Sequence, residues 1–267
     1  MLCFAGKVGL VMSKLFVDAE QKVFAGSYPL MMSPQPETDY TPRSEAEEEI
    51  CRGMRLLSEG QSEEGRKCLE SAWAMGSMWA GELLSYGYTS NWFSKNDYPR
   101  AWQILDTMQR KGDAMAMNNI ATMYESGLGC KQSLRWAKFW FEKAVAKGCV
   151  YAMVNLANLL TLGPKKYRDY ERAVQLLKSA MEKGDPEAFN MMGVSYWKGR
   201  GVPKDYDKAF EHYQIAYEKG AGPVSAYNLG CCYYFGEGTA KDLEKAEALF
   251  KEATDGGFPV NDCLDRR

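Results

Sequence analysis

Two patterns of apolar and polar positions alternate along residues 186–221. In Ala188-Phe-Asn-Met-Met-Gly193-Val-Ser-Tyr196-Trp197, small and apolar residues recur at helical spacing, which predicts a first helix. Gly199-Arg-Gly201-Val-Pro203 breaks it, because two glycines and a proline cannot continue a helix interior. Asp205 is placed to cap a second helix by accepting from backbone N–H groups left free at that end. That helix continues through Lys208-Ala-Phe-Glu-His-Tyr-Gln-Ile-Ala-Tyr-Glu-Lys219, and Gly220 stops it in the left-handed position that disfavours a Cβ.

The same unit recurs along most of the chain. Gly76, Gly112, Gly148, Gly184 and Gly220 stand 36 residues apart, and Gly257 follows 37 residues later. Eleven residues before the closing glycine stand Ala101, Ala137, Ala173, Ala209 and Ala246, each preceded four residues earlier by Asp97, Ser133, Asp169, Asp205 or Asp242. Ala80, Ala116, Ala152, Ala188 and Ser225 open the units. Lys111, Lys147, Lys183 and Lys219 precede closing glycines, where a cation suits the negative end of the helix dipole. Several position sets sharing one period identify a repeat protein, in which each unit buries its apolar face against its neighbours.

The pattern Ala-x-x-x-Leu-Gly-x-x-Tyr-x-x-Gly-x-Gly-Val-x-x-Asp-x-x-Lys-Ala, ending Ala-x-x-x-Gly, resembles the Sel-1-like repeat family, a relative of tetratricopeptide repeats. Tyr124-x-x-Gly127-x-Gly129, Tyr196-x-x-Gly199-x-Gly201 and Tyr233-x-x-Gly236-x-Gly238 carry it in units 114–149, 186–221 and 222–257. Unit 150–185 departs, with Leu160 for the tyrosine and Gly163-Pro-Lys for the double glycine; unit 77–113 departs further, with Asn91-Trp-Phe in its loop. Residues 44–76 keep the length and the closing Ser71-Ala-Trp-Ala-Met-Gly76, as a degenerate first repeat. The resemblance implies an all-α, right-handed superhelical solenoid of about six two-helix repeats over 44–257. Residues 258–267 form a C-terminal tail.

Residues 1–43 lie before the repeats. Val11, Leu15, Phe16, Ala19 and Val23, with charges between them, predict an amphipathic capping helix over 8–25, and Pro29, Pro34, Pro36 and Pro42 mark a linker to Arg43. A targeting segment is the rival reading, against which Lys7 and Lys14 interrupt any apolar core.

Composition removes several chemistries. Among 267 residues, 33 Lys and Arg against 35 Asp and Glu leave a net charge of −2, which argues against a nucleic-acid binder resting on a broad basic face. No apolar run of membrane-spanning length occurs, so membrane insertion is not expected. The single histidine, His212, leaves no material for a Ser-His-Asp triad, a multi-histidine zinc site or an iron facial triad. Its phase matches Ile104, Trp140, Leu176 and Leu249, the inward positions of second helices, so a packed core role is expected. Ser195-Tyr-Trp-Lys198 satisfies Ser-x-x-Lys, yet no Ser-Asp-Asn or Lys-Thr-Gly accompanies it. The Gly-x-Gly loops follow helices rather than strands, which argues against dinucleotide binding. Eight cysteines include no Cys-x-x-Cys; only Cys51 and Cys68 fall on the two helices of one unit, and free thiols in a reducing compartment are the simpler reading. Neither a cofactor nor a metal is expected.

Polar residues on the first helices are the candidate site. Asn119, Asn155 and Asn228 each stand three residues after an opening small residue, with Asn118, Asn158 and Asn190 at neighbouring phases. An amide side chain both donates and accepts, and a row of them can pair with an extended peptide backbone. The resemblance implies that such helices line a concave groove, as asparagines do in tetratricopeptide domains. Trp197, Tyr227, Tyr234 and Phe235 lie on or beside that face, and aromatic anchors are typical of binding hot spots. The competing reading is that the asparagines hydrogen-bond within or between repeats and the aromatics are core. The expectation is a non-catalytic, cytoplasmic scaffold or adaptor that binds a protein or peptide in the groove, with exposed end repeats that allow self-association. A secreted or host-directed effector on the same fold, and a hydrolase using Ser195, are the two rival classes.

Overall fold

The computed structural model describes residues 42, 44–90, 92–93, 95–258 and 260. These residues form twelve α-helices and no strand. The expected capping helix over 8–25, the linker and most of the expected tail lie outside the described residues. The chain divides into two compact units at Cys149 and Val150.

The first unit contains three successive helix pairs: α1 (Glu45–Ser58) with α2 (Ser62–Ala74), α3 (Met78–Gly87) with α4 (Tyr98–Arg110), and α5 (Ala114–Ser126) with α6 (Leu134–Ala146). The second contains α7 (Val150–Leu162) with α8 (Tyr170–Glu182), α9 (Pro186–Lys198) with α10 (Tyr206–Glu218), and α11 (Pro223–Phe235) with α12 (Leu243–Asp255). The fold class is the all-α, two-helix repeat, as the 36-residue period requires.

Sequence signals set the helix ends. Asp97, Asp169, Asp205 and Asp242 accept from the backbone N–H three residues on at 3.0–3.1 Å, and Ser133 does so at 3.4 Å. The first helices carry caps of the same kind: Ser77, Asp113 and Asp185 accept from Ala80, Ala116 and Ala188. Each closing glycine, from Gly76 to Gly257, adopts a φ between +75° and +92°. The Gly-x-Gly loops divide their labour. Gly199 caps α9 in the left-handed conformation, whereas a Cβ on Gly201 would strike the Tyr170 carbonyl at the start of the preceding repeat's second helix. Gly238 stands in the same relation to Tyr206.

The two recurring sets of small residues are buried between the helices. Ala101, Ala137, Ala173, Ala209 and Ala246 are buried, as are Ala80, Ala116, Ala152, Ala188 and Ser225, so helices approach closely where side chains are small. In the first unit Ile50, Leu69, Leu83, Leu84, Leu105, Met108, Ile120 and Met123 fill the space between them. In the second, Ala209, Tyr213, Leu229, Cys232, Leu249 and Phe250 do so around α10–α12. Central first helices are the most buried: Ala152 to Thr161 of α7 form an unbroken buried run, as expected for a helix packed from several directions.

The two departures from the repeat signature have local replacements. In unit 77–113 the ring of Phe93 seats against Gly87, while Tyr88–Phe93 and Tyr86–Trp92 pack edge-on at 5.0 and 4.9 Å. Glu70 then ties that loop to its neighbours, accepting from Tyr88, Arg66 and Arg100 at 2.6 Å each. In unit 150–185, Gly163-Pro164 leads into a 3-10 turn at Lys165–Tyr167, and Arg168 Nε donates to the Gly163 carbonyl at 3.0 Å.

Candidate interaction surface

The first helices of the repeats carry the candidate amides. In the first unit, Asn118 and Asn119 lie on α5, and Asn118 Nδ2 donates to Asn119 Oδ1 at 3.3 Å. In the second unit, Asn155 and Asn158 lie on α7, Asn190 on α9 and Asn228 on α11. Five of the six are between 0% and 2% exposed; only Asn228 is half-buried. Asn228 Nδ2 donates to Asn190 Oδ1 at 2.8 Å, and Asn190 Nδ2 donates to Glu187 Oε1 at 2.8 Å. A polar relay therefore joins neighbouring repeats through groups that would be costly to bury unpaired. This is the between-repeat bonding that the sequence left as the alternative to ligand contact.

Glu187 was not singled out by sequence, and its setting is unusual. It is 8% exposed, and burial pushes its carboxyl up to about 8. The hydrogen bond from Asn190 opposes that shift, and the nearby Asp185 carboxylate reinforces it. No signal in the chain marked this residue, because a glutamate in the first turn of a helix is ordinarily solvated. Its burial follows from the helices packed around α9, which one segment's pattern does not reveal.

The aromatic residues occupy intermediate positions. Trp197, Tyr227, Tyr234 and Phe235 are all half-buried. The Trp197 indole N–H donates to Glu237 Oε2 at 2.7 Å, across to the next repeat's loop, and Lys198 lies over the ring at 4.3 Å. Tyr227 packs against Phe258 and Phe250, with centroids 5.0 and 5.7 Å apart, and Tyr234 packs against Phe235 and Phe250. These rings brace one another and still present an edge to the surface.

The remaining sequence candidates resolve individually. Ser195 is buried on α9, and its hydroxyl donates to the Met191 carbonyl of its own helix at 3.1 Å. His212 departs from the expected core placement. It is half-buried, its Nδ1 lies 2.9 Å from the Lys208 carbonyl, and its ring leans on Tyr196 at 5.2 Å. A polar ring at the edge of the inward stripe keeps one side wet, unlike the aliphatic residues at its phase. Cys51, Cys68, Cys130 and Cys232 are free thiols, and Arg52 Nε reaches the Cys68 sulfur at 3.2 Å. Among the described residues no cluster of His, Cys, Asp and Glu could hold a metal ion, and no helix is long and apolar enough to cross a membrane.

Known proteins repeat the same architecture. The chain is 34% identical over 113 residues to the ERAD-associated E3 ubiquitin-protein ligase component HRD3B of Arabidopsis thaliana, covering 42% of this chain and 18% of that protein. It is 27% identical over 194 residues to the Sel1-repeat-containing protein YjcO of Escherichia coli, covering 70% and 81% respectively. Several curated relatives are far longer, and the chain spans 12% to 25% of the length of three of them. The crystal structure of a Sel1 repeat protein from Oxalobacter formigenes superposes with a TM-score of 0.63 at 26% identity, covering 78% of this chain and 83% of that one. The Sel1 repeat model matches residues 114–149, 150–185, 186–220 and 223–258, more than half of the chain, and with the observed caps and helix pairs this places the protein in the Sel1 repeat family.

Proposed function

We propose that the protein is a non-catalytic interaction adaptor that binds a peptide or protein segment along the first helices of its repeats. The observation that carries this reading is the relay Glu187–Asn190–Asn228, which ends in a half-buried amide on α11, the helix that also carries the half-buried Tyr227 and Tyr234. An amide held by its neighbour is pre-oriented, so pairing with a backbone costs little further ordering. The half-buried rings of Tyr227 and Tyr234 on the same helix supply apolar contact of the kind that dominates interfaces. Within the second unit, Asn155 and Asn158 then serve as a buried floor, with Asn228, Trp197, Tyr227 and Tyr234 making the contacts. Membership of a family that includes a named component of a ubiquitin-ligase assembly agrees with a binding role.

The test is affinity capture from native lysate followed by mass spectrometry, comparing wild type with Asn228→Ser and Tyr234→Ser after melting curves show that both variants are folded. A partner retained by wild type and lost by both variants supports the reading. A partner held equally by all three, or none held by any, overturns it.

A further inference from the structure

The second helix of repeat 114–149 carries an outward face unlike that of its counterparts. Inward, Ala137, Phe141 and Ala144 of α6 are fully buried at the spacing of one helix face. Beside that face, Trp136, Phe139 and Lys143 follow the i, i+3, i+7 spacing of a neighbouring stripe, with Trp140 between them half-buried against the core. Trp136 is 49% exposed and Phe139 40% exposed. One residue before the alanine column, where Trp136 stands, the other second helices place Arg100, Arg172, Lys208 and Lys245, all exposed. Two residues after it, where Phe139 stands, they place Gln103, Gln175, Glu211 and Ala248, again exposed. The fold asks for nothing apolar at either position, so packing does not explain the two rings.

The rings form an ordered shelf. Tyr124 stacks on Trp136 with centroids 6.1 Å apart, Trp136 meets Phe139 edge-on at 5.5 Å, and Phe139 meets Trp140 edge-on at 5.5 Å. Lys143 Nζ lies 4.7 Å from the Phe139 centroid and 4.9 Å from that of Trp140. Arg135, Lys143 and Lys147 are exposed around the shelf, and none has a carboxylate within ion-pair distance among the described residues. Lys138 is different, because it is neutralised by Glu142 at 2.7 Å. In a chain of net charge −2 this helix thus concentrates uncompensated positive charge beside exposed rings.

We infer that this face of α6 docks an acidic peptide segment, one whose aromatic or aliphatic side chain packs on Trp136 and Phe139 while flanking carboxylates meet Arg135, Lys143 and Lys147. Charge complementarity selects the partner: opposite charges around an apolar anchor steer encounter and fix register. A membrane surface fits less well. Trp136 and Phe139 are held against Tyr124, Trp140 and Lys143, which leaves too little free ring to sink the roughly 5–10 Å that interfacial helices reach. The inference is independent of the first-helix amides and stands or falls without them.

The experiment selects 12-residue peptides from a random display library on the full-length chain, then measures the enriched peptides by fluorescence anisotropy. The first variant is Trp136→Arg with Phe139→Gln, which installs the residue types already found at those phases in folded repeats of the same chain. The second is Arg135→Glu with Lys143→Glu, which reverses charge and leaves the rings. Enriched peptides carrying a large apolar residue flanked by Asp or Glu, and bound at least tenfold more weakly by each variant, bear the inference out. Enrichment without acidic residues, binding unchanged in either folded variant, or no enrichment overturns it. Sedimentation of wild type, but not of the first variant, with phosphatidylserine vesicles would assign the face to lipid instead. Self-association abolished by the first variant would assign it to a second copy.

Discussion

Replacing Glu187 by glutamine isolates the energetics of the buried relay. Glutamine has the shape of the protonated acid, and its carbonyl oxygen can still accept from Asn190 Nδ2, so only the titration is removed. Burial raises the carboxyl from an ordinary value of 4.5 to about 8. Between those limits the folded protein holds a proton that the unfolded chain has released, so wild-type stability falls as pH rises through this window. The contribution is fully present below pH 4.5 and lost once pH passes about 8. At 1.36 kcal/mol per tenfold change in proton affinity, the whole window is worth about 5 kcal/mol, and about 3 kcal/mol of it is lost by pH 7. Urea unfolding of wild type and Glu187→Gln from pH 4.5 to 9, monitored by circular dichroism, should give nearly equal stabilities at pH 4.5. The variant should then gain steadily, by about 3 kcal/mol at pH 7 and about 5 kcal/mol at pH 9. Taking the difference cancels other groups, including Glu125, whose carboxyl burial also lifts to about 7. Curves that run parallel across the range would refute the reasoning, because they would mean that Glu187 is solvated in the folded protein.

Other consequences are local. Gly184 has a φ of +81° with open space where a Cβ would be, so Gly184→Val should lower stability by about 1–2 kcal/mol through backbone strain alone, read from the melting curve. Gly201→Ala adds a collision with the Tyr170 carbonyl to the same strain and should cost clearly more than Gly184→Ala in the same assay. Asp113→Ala removes the 2.6 Å cap of α5 and should cost about 1 kcal/mol in denaturant unfolding. Trp197→Phe leaves Glu237 without the indole donor and should cost about 1 kcal/mol by the same measure.

The period made the scaffold legible. A cap aspartate, an alanine and a closing glycine recur because each satisfies a backbone or steric demand that arises once per repeat, and the structure meets those demands at Asp205, Ala209 and Gly220 alike. Burial on the first helices was not legible. Asn155 and Asn158 read as a polar face, yet their exposure is decided by helices distant in sequence, and both are buried. Glu187 escaped notice for the same reason. Trp136 and Phe139 could have been found by aligning second helices phase by phase, since each is apolar where its counterparts are polar, small or charged. His212 was misjudged because phase gives direction and not depth.

The most direct test of the adaptor reading is hydrogen–deuterium exchange of the full chain with and without the captured partner. The account predicts slowed exchange over α9 and α11, centred on Asn190 and on Tyr227 to Tyr234, with the second helices α8 and α10 unchanged. Protection confined to α8, α10 and α12, with α9 and α11 exchanging as in the free protein, would contradict it.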